Sequence, residues 1–291
     1  MKKSIAFQGT IGANSNLACQ KFYPDFLPEA YATFFDVFTA VENGAAEFGM
    51  IPFENSSAGR VSEIHNLLQK KSVHIVAEHF VTIEHHLVAV KGSKLKDIKQ
   101  VYSHPQALMQ CRNNLQNLKV ELCDFSNTAK AAEFIAKQND KTKAALCSKV
   151  AAEINGLEIL QENFQDANDN STVFIVIAKE MIATDPKISP VIISLIFTIK
   201  NYPGSLYKAL GSFATNNVSM IQIESFIKGG VRAWGGVSEQ AAFFVTIEGH
   251  PNQPNIVSAL QELEFFAKDI KILGVYYADK LRFEDQDLNK K

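Results

Sequence analysis

Residues 4–22 read Ser4-Ile5-Ala6-Phe7-Gln8-Gly9-Thr10-Ile11-Gly12-Ala13-Asn14-Ser15-Asn16-Leu17-Ala18-Cys19-Gln20-Lys21-Phe22, an apolar run joined to a helical pattern by a short glycine-containing turn. Ser4 to Phe7 has the composition of a buried strand, and Ala13 to Phe22 has the spacing of a helix. The same alternation of strands and helices continues to residue 178. It predicts an α/β fold with mostly parallel sheets.

The alternation falls into two similar blocks, which a long extended stretch at residues 73–90 connects. The first block predicts strands at 30–34 and 46–51 and helices at 36–43 and 61–69. The second predicts strands at 101–102, 120–123 and 144–146 and helices at 106–115, 128–137 and 150–155, with a closing strand at 172–178. We expect a two-lobed, periplasmic-binding-protein-like domain over 1–179, with lobes of roughly 1–80 plus 160–179 and 81–159. Because ligands of such sheets bind at the carboxyl ends of strands, a cleft between the lobes is expected.

Residues 180–190 contain two prolines and little periodicity, which is typical of a linker. The pattern after the linker is different. It predicts strands at 191–199, 218–226, 241–247 and 270–277 and helices at 203–215 and 255–263. This βαββαβ order is that of a ferredoxin-like sandwich, so residues 191–279 are predicted to form a second domain. Residues 280–291 form a charged tail.

The composition limits the classes of partner and the cellular location. The chain has 29 basic and 31 acidic residues, so no broad cationic face for nucleic acid is expected. No apolar run reaches about 18 residues and no signal-peptide core follows Met1, so we expect a cytoplasmic protein without membrane contact. The four cysteines contain no C-x-x-C pair, which favours free buried thiols. His85 and His86 are adjacent on an extended stretch and point to opposite faces, so no metal site is predicted.

Four polar segments lie at strand-to-helix junctions of the first domain: Gln8 to Ser15, Ile51 to Gly59, Ser103 to Leu108, and Ser126 to Ala129. Each segment alone is compatible with an ordinary helix cap. Together with the polar run at 170–172 they indicate a polar cleft. The first turn is not G-x-G-x-x-G, so no dinucleotide is indicated and no cofactor is expected.

These segments resemble the prephenate dehydratase family, in its monofunctional form. The resemblance is carried by Gly9-x-x-Gly12-x-x-Ser15, the block at 52–56, Ser103-His104-Pro105-Gln106-Ala107-Leu108, Thr128-Ala129, Asn155-Gly156-Leu157 and the Asn-x-Thr-x-Phe end at 170–174. The second domain resembles an ACT domain, with Gly204-Ser205-Leu206 opening its first helix and Glu224-Ser225 on its second strand. The ordered set covers nearly the whole chain.

The resemblance implies a lyase, a carbon–oxygen hydro-lyase, that converts prephenate to phenylpyruvate, water and CO2 in L-phenylalanine biosynthesis. Thr172 matches the essential threonine, which gives a hydrogen bond or proton to the departing hydroxyl. The implied substrate-binding residues are Gly12, Ser15, Asn55, Ser56, Ser103, Gln106, Thr128, Asn170 and Phe174. L-Phenylalanine is the implied allosteric inhibitor, bound by Gly204, Ser205, Leu206, Glu224 and Ser225. A homodimer or a homotetramer is expected.

The sequence departs from the family pattern in both domains. Val173 stands where the family has arginine, and strand alternation predicts that it faces away from Thr172 and Phe174. Arg60 and His104 are candidate cationic substitutes for that arginine. In the second domain Phe226-Ile227 follows Glu224-Ser225 where Arg-Pro is common, and the loop 228–238, which contains Trp234, is longer and rich in glycine.

Two alternatives remain open at this point. An arogenate dehydratase performs the same chemistry on a substrate with an amine in place of the ketone. A non-catalytic ligand-binding sensor would keep the two-lobed cleft and the ACT domain without turnover; Val173 is the feature in its favour, and Thr172 is the feature against it.

Overall fold

A computed structural model of the chain describes residues 3–56, 59–167, 170–200, 202–228 and 240–283. The first two-thirds of the chain form β1 (Ser4–Gln8), α1 (Asn14–Phe22), β2 (Leu27–Tyr31), α2 (Phe34–Glu42), β3 (Phe48–Asn55), β4 (Gly59–Arg60), α3 (Ser62–Lys70), β5 (His74–Thr82), β6 (His86–Ala89), β7 (Gln100–Ser103), α4 (Pro105–Gln110), α5 (Arg112–Leu118), β8 (Glu121–Asp124), α6 (Thr128–Gln138), β9 (Lys143–Cys147), α7 (Lys149–Ile154), β10 (Glu158–Gln161) and β11 (Ser171–Ala178). The rest forms β12 (Val191–Ile199), α8 (Ser205–Thr215), β13 (Met220–Lys228), β14 (Gln240–Glu248), α9 (Pro254–Phe266) and β15 (Ala267–Tyr277). Most of the loop with Trp234, and the end of the charged tail, lie outside the described residues.

The first sheet has the strand order β2-β1-β3-β11-β5, and the short β4 pairs with β3. Strand β1 is parallel to both of its neighbours. Its residues Ile5, Ala6 and Phe7 are fully buried, as expected for a central strand covered on both faces.

The second sheet has the order β10-β6-β9-β7-β8 and mixes parallel with antiparallel pairs. Successive residues of β6 belong to different cores: Leu87 packs with Val101 and Phe164, whereas Val88 packs with Ala132 and Ile135. Side-chain alternation therefore gives this sheet two buried faces, as the near-continuous apolar strands require.

The chain passes from the first sheet to the second between β5 and β6, and it returns between β10 and β11. The second sheet is thus an insertion within the first. The two crossings are joined by backbone hydrogen bonds: Ile83 N donates to the Asn170 carbonyl at 2.8 Å, and Phe164 N donates to the His85 carbonyl at 2.6 Å. This arrangement confirms the predicted α/β fold with two lobes.

The third sheet has the order β13-β14-β12-β15 and is antiparallel throughout. Helices α8 and α9 supply Phe213 and Leu263 to a core that also contains Leu195, Phe197 and Val245. The element order is βαββαβ, so the predicted ferredoxin-like fold is confirmed for this region.

The chain divides into two compact units, which consist of Met1–Ala40, Ala46–Val61 and Phe80–Phe174, and of Val41–Ala45, Ser62–His79 and Ile175–Lys291. Helix α3 and most of β5 therefore belong to the same unit as the ferredoxin-like sheet. Within that unit, Lys271 Nζ donates to the carbonyls of Leu68, Gln69 and Lys71 at the end of α3. These contacts satisfy carbonyl groups that a helix end leaves unpaired.

Two local predictions are wrong. The strand predicted at 30–34 ends at Tyr31, because Thr33 caps α2: its Oγ1 accepts from Asp36 N at 3.1 Å, and Asp36 Oδ2 accepts from Thr33 N at 3.2 Å. The helix predicted at 106–115 is two helices, since Cys111 has φ −113° and ψ 17° and interrupts the pattern between α4 and α5. None of the helices in the described ranges is long and apolar enough to cross a membrane.

Candidate functional site

A cavity of about 420 Å³ lies at the carboxyl ends of β1 and β3, within the first compact unit. This volume suits a small metabolite. Its wall is formed by the polar segments at the strand-to-helix junctions, by the two crossings and by the start of β11. The lining residues are Gln8, Gly9, Ala13, Asn14, Ser15, Pro52, Glu54, Asn55, Val61, Ile83, His85, His104, Gln106, Ala107, Gln110, Ser126, Asn127, Thr128, Thr172 and Phe174.

Thr172 is buried and lies at the start of β11, beside Asn55 at the end of β3. Asn55 Nδ2 donates to Thr172 Oγ1 at 2.9 Å and to the Ser171 carbonyl at 3.1 Å. Because a backbone carbonyl only accepts hydrogen bonds, the Ser171 contact identifies this end of the Asn55 amide as the nitrogen. Thr172 Oγ1 is therefore an acceptor toward Asn55, and its own proton is directed elsewhere.

Asn170 is buried and joins the same group of side chains. Its Oδ1 lies 2.8 Å from Asn55 Nδ2, whose two protons it shares with the Ser171 carbonyl and Thr172 Oγ1, and it accepts from Gln110 Nε2 at 3.3 Å. Gln110 was not among the predicted site residues. A signal for it was present in the sequence, because Gln110 follows Gln106 by one helical turn and therefore lies on the same face of the helix.

Gln106 lies in the first turn of α4 and lines the cavity. Its backbone N–H donates to His104 Nδ1 at 3.2 Å, so His104 caps the helix. Its side-chain Nε2 is buried and has no hydrogen-bond partner among the described residues. A buried amide donor without a partner costs about 1–3 kcal/mol, and a polar group of a bound ligand would satisfy it.

The N-termini of α1 and α6 also face the cavity. Ser15 is buried in the first turn of α1, and Thr128 is the first residue of α6, whose cap Asn127 accepts from Lys130 N at 2.7 Å. Helix N-termini carry unpaired N–H groups and a partial positive charge, which favour anions.

Gly12 does not line the cavity among the described residues, and its N–H group is already paired with Asn16 Oδ1 at 3.0 Å. Its φ of +85° is a conformation that favours glycine. Its carbonyl accepts from Ser148 Oγ at 3.0 Å, and Ser148 also caps α7. The structure therefore assigns Gly12 a contact that joins the α1 turn to α7; its predicted substrate contact stays a prediction.

Ser56 and Ser103 are likewise outside the described lining. Ser56 Oγ accepts from Ser171 N at 3.0 Å, and Ser56 N donates to the Ser171 carbonyl at 2.9 Å. Ser103 is fully buried and donates to the Leu146 carbonyl at 2.8 Å. Ser56 thus holds the start of β11 in register beside Thr172, and Ser103 ties β7 to β9.

Phe174 lines the cavity with Thr172, whereas Val173 between them does not. Of the two candidate cationic substitutes, His104 lines the cavity and Arg60 does not. Arg60 is the backbone partner of Glu54 where β4 pairs with β3. No lysine or arginine is present in the described lining.

His85 belongs to the first crossing, and its buried ring places Nε2 2.9 Å from Gln110 Oε1. Burial lowers the pKa of His85 below its usual value, although the Gln110 hydrogen bond acts in the opposite direction. Burial therefore favours the neutral form of the imidazole.

The predicted effector residues lie in the second compact unit. Gly204 has φ +77° and precedes α8, whose first residue Ser205 is buried. Leu206 packs against the core of the third sheet. On β13, Glu224 Oε2 lies 3.3 Å from His65 Nε2, whereas Ser225 is exposed and points to the other face of the strand. Within one chain, therefore, Glu224 faces α3.

No group of His, Cys, Asp or Glu side chains suited to a metal ion occurs in the described parts of the chain. The four cysteines are free, and three of them are buried. Burial raises the pKa of the Cys19, Cys111 and Cys147 thiols to about 12, so these groups stay protonated.

Comparison with known proteins gives an independent assignment. The family model for prephenate dehydratase matches residues 5–182. A bifunctional N-acyl-homoserine lactone acylase/prephenate dehydratase from Komagataeibacter europaeus is 39% identical over 281 residues, which cover 97% of this chain and 98% of that protein. Arogenate dehydratase 2 from Petunia hybrida is 36% identical over 94% of this chain and 72% of its own length.

The fold is also that of a solved structure described as prephenate dehydratase in complex with L-Phe from Arthrobacter aurescens. That structure superposes with a TM-score of 0.83 at 24% identity, covering 94% of this chain and 89% of the other. The motif order, the cavity geometry and the family match agree, and this chain belongs to the prephenate dehydratase family.

Proposed function

We propose that this chain converts prephenate to phenylpyruvate, CO2 and water, as a lyase of L-phenylalanine biosynthesis. The observation that carries the proposal is the Asn55–Thr172 hydrogen bond in the wall of the cavity. It leaves the Thr172 proton available to a group bound in the cavity.

The proposed reaction breaks two bonds of the prephenate ring. The ring carboxylate leaves as CO2, and the electron pair of that C–C bond enters the ring as it becomes aromatic. The C–O bond to the ring hydroxyl breaks at the opposite position, and the departing oxygen takes a proton to leave as water. A hydroxyl donor held at that oxygen contributes about 10²–10⁴-fold to the rate; this role is assigned to Thr172, and a proton from solvent restores its hydroxyl group.

The substrate is a dianion, and the described lining contains no lysine or arginine to hold it. Its carboxylates are assigned to neutral donors: the N-termini of α1 and α6, near Ser15 and Thr128, and the unpartnered Gln106 Nε2. Phe174 offers an apolar surface to the ring. Neutral donors stabilise charge that develops in the transition state without forming an ion pair that would hold the product.

The decisive experiment measures phenylpyruvate formation from prephenate by wild type, Thr172→Ala and Thr172→Ser. We expect turnover by the wild type, a loss of about 100-fold or more in kcat for the alanine variant, and partial activity for the serine variant, which keeps a hydroxyl. Absence of product from the wild type, together with saturable prephenate binding, would favour the non-catalytic sensor.

Arogenate is the second candidate substrate, because the Glu54 carboxylate lines the cavity and could face the ammonium group that arogenate has in place of the ketone. The Petunia relative is named for this activity. Competition between the two substrates gives the ratio of kcat/KM directly. If arogenate is preferred, Glu54→Gln is expected to shift that ratio toward prephenate. N-acyl-homoserine lactone is included as a third compound, since the Komagataeibacter relative carries that name.

Feedback inhibition by L-phenylalanine at an ACT domain, formed by residues 191–279, is a further part of the proposal. The predicted effector residues occupy the helix opening at Gly204 and strand β13, and the Arthrobacter aurescens structure is described with L-Phe bound. Titration calorimetry with L-phenylalanine, with D-phenylalanine as the control, tests binding. Inhibition of turnover at the same concentrations is expected, whereas absence of saturable binding at millimolar ligand contradicts regulation.

The proposal also includes a homodimer or homotetramer in the cytoplasm, where free thiols such as those of this chain are kept reduced. Light scattering with and without L-phenylalanine measures the oligomeric state. A monomer at micromolar concentration contradicts the predicted assembly.

A further inference from the structure

We propose that His85 is a positioning residue: its Nε2–H group fixes the Gln110 amide, and through it the side chains that direct the Thr172 proton into the cavity. The catalytic consequence rests on the proposed function. The protonation state of the His85 ring does not depend on the proposed function, because it can be measured without substrate.

The Asn170 amide has one favoured orientation. Asn170 Nδ2 lies 3.4 Å from the Ile83 carbonyl, which only accepts hydrogen bonds. Its Oδ1 accepts from Asn55 Nδ2 at 2.8 Å, and Asn55 is itself oriented by the Ser171 carbonyl. Backbone carbonyls thus favour one orientation of each amide, and the Asn170 contact, at 3.4 Å, is the weaker of the two.

Gln110 pairs reciprocally with Asn170. Gln110 Nε2 donates to Asn170 Oδ1 at 3.3 Å, and Asn170 Nδ2 donates to Gln110 Oε1 at 3.2 Å. A rotated Gln110 amide would place N–H against N–H and oxygen against oxygen. It would therefore oppose the orientation of Asn170 that Asn55 requires.

His85 selects between these two orientations of Gln110. Its Nε2 lies 2.9 Å from Gln110 Oε1, so this nitrogen must carry a proton. The ring is 4% exposed and its pKa is lowered by burial, so a single neutral form with the proton on Nε2 fits the site. The other tautomer would present a lone pair to Oε1 and would favour the rotated amide.

The backbone of His85 holds the ring in place at the crossings. Its N–H donates to Gln165 Oε1 at 3.0 Å, and its carbonyl accepts from Phe164 N at 2.6 Å. Both partners belong to the returning crossing between β10 and β11. The ring that orients Gln110 is thus held by the same segment that leads to Thr172.

The catalytic consequence follows from the direction of one hydrogen bond. If Asn170 rotates, Asn55 loses the acceptor at Asn170 Oδ1, and its own amide can rotate to present oxygen to Thr172. The Thr172 hydroxyl would then donate to Asn55 and not to the leaving group. The groups assigned to the carboxylates, near Ser15, Gln106 and Thr128, would keep their positions, so kcat is expected to fall by a larger factor than KM changes.

The first test compares His85→Leu, which removes the donor, with His85→Gln, which keeps an N–H donor at the same number of bonds from Cα. His85→Leu is expected to lower kcat by about 10- to 100-fold with KM changed by less than about threefold, and His85→Gln to retain kcat within about threefold. The control is His86→Leu. His86 is equally buried at 4% exposure, but its Nδ1 accepts from Asn163 N at 3.2 Å, away from Gln110.

The second test is ¹⁵N NMR of histidine-labelled protein, with the His85 resonance assigned by His85→Gln. An Nε2-protonated neutral ring at pH 7 supports the proposal; the Nδ1-protonated tautomer or an imidazolium overturns it. Equal kcat values for His85→Leu and His86→Leu overturn the positioning role while wild-type turnover keeps the proposed function. No product from the wild type overturns the proposed function, and with it the catalytic half of this proposal.

Discussion

Asn55 Nδ2 donates to Thr172 Oγ1 across 2.9 Å, although the two residues are 117 positions apart in the chain. Aspartate at position 55 has the same shape as asparagine but accepts hydrogen bonds when ionised, so it reverses the direction of this bond. We expect Asn55→Asp to lower kcat by about 100-fold or more, because the Thr172 proton would be held by the new carboxylate. Steady-state kinetics with prephenate measures the effect.

The control for added charge is Asn127→Asp. Asn127 also lines the cavity, and its Oδ1 already acts as an acceptor in the cap of α6, so aspartate keeps that cap. This variant is expected to raise KM for the dianion while kcat is retained. An equal fall in kcat for both variants would attribute the Asn55 effect to charge.

Gln106 carries a buried Nε2 without a partner in the described residues, which predicts opposite effects on stability and activity. Gln106→Met removes the buried donor at similar volume. The free energy of unfolding is expected to rise by about 1 kcal/mol or to stay equal, and kcat/KM to fall by about 10- to 100-fold. Urea denaturation and steady-state kinetics measure the two quantities.

Gln69 provides the matched control for this prediction. Its Nε2 is also buried without a partner among the described residues, but it lies on α3 and not in the cavity wall. Gln69→Met is expected to give the same gain in stability with unchanged kinetics. A loss of stability in both variants would show that these amides have partners in solution.

Gly12 combines a positive φ with a close neighbour. A Cβ at this position would lie 3.2 Å from Ala151 Cα and 3.3 Å from Ala151 Cβ, whereas Gly44, with φ +74°, has nothing within 4 Å. Gly44→Ala is expected to lower the free energy of unfolding by about 1 kcal/mol through backbone strain alone. Gly12→Ala is expected to lower it by about 1–3 kcal/mol more, because α7 must also shift. Chemical denaturation of both variants isolates the contact; equal losses would contradict it.

Stability is expected to depend on pH through His85. Its pKa in the folded state is lowered by burial, an effect opposed by the Gln110 bond and reinforced by the His86 charge. As pH falls through the ordinary histidine pKa, His85 therefore binds a proton in the unfolded chain but not in the folded chain. The contribution of neutral His85 to the free energy of unfolding is complete above the ordinary histidine pKa. It is lost as pH falls below that value, by at most about 1.4 kcal/mol per pH unit. Urea denaturation between pH 5.5 and 7.5 measures the slope, and His85→Gln is expected to reduce it.

The carboxylates with lowered pKa do not obscure this slope. Glu42, Glu133 and Asp140 are stabilised in the charged form by hydrogen bonds, so their contribution is lost only as pH falls below the ordinary carboxyl range. If His85→Gln has the same slope as the wild type between pH 5.5 and 7.5, the depressed pKa of His85 is contradicted.

The parts of the site that were predictable from sequence are those marked by local signals. Thr128 follows a capping asparagine, Gln106 follows a helix-starting proline, and Thr172 alternates with Phe174 on a strand; each signal is short-range and each residue lines the cavity. The alternation of strand and helix likewise predicts the α/β fold, since burial of each element depends on its own period.

The remaining parts depend on contacts distant in sequence. His85 and Ile83 lie in the cavity wall because the chain crosses twice between the sheets. A local sequence pattern does not predict where two such crossings meet. The role of a serine is equally hard to predict from sequence. Ser56 and Ser103 form hydrogen bonds with backbone groups far along the chain, although, like Ser15, they lie in polar segments at strand-to-helix junctions. A serine at a strand end can serve either purpose, and only the tertiary neighbours decide.

The position of β11 between β3 and β5 sets an order on biosynthesis. As the chain emerges from the ribosome, β3 and β5 are made first, and the strand that separates them follows only after the whole second sheet. Until then each presents an unpaired edge to the nascent chain and to chaperones. Thr172 lies on the strand that fills the gap. A stalled or truncated polypeptide that ends before β11 therefore has most of the cavity wall but lacks the proposed proton donor, so on the proposed function activity requires completed translation of the domain.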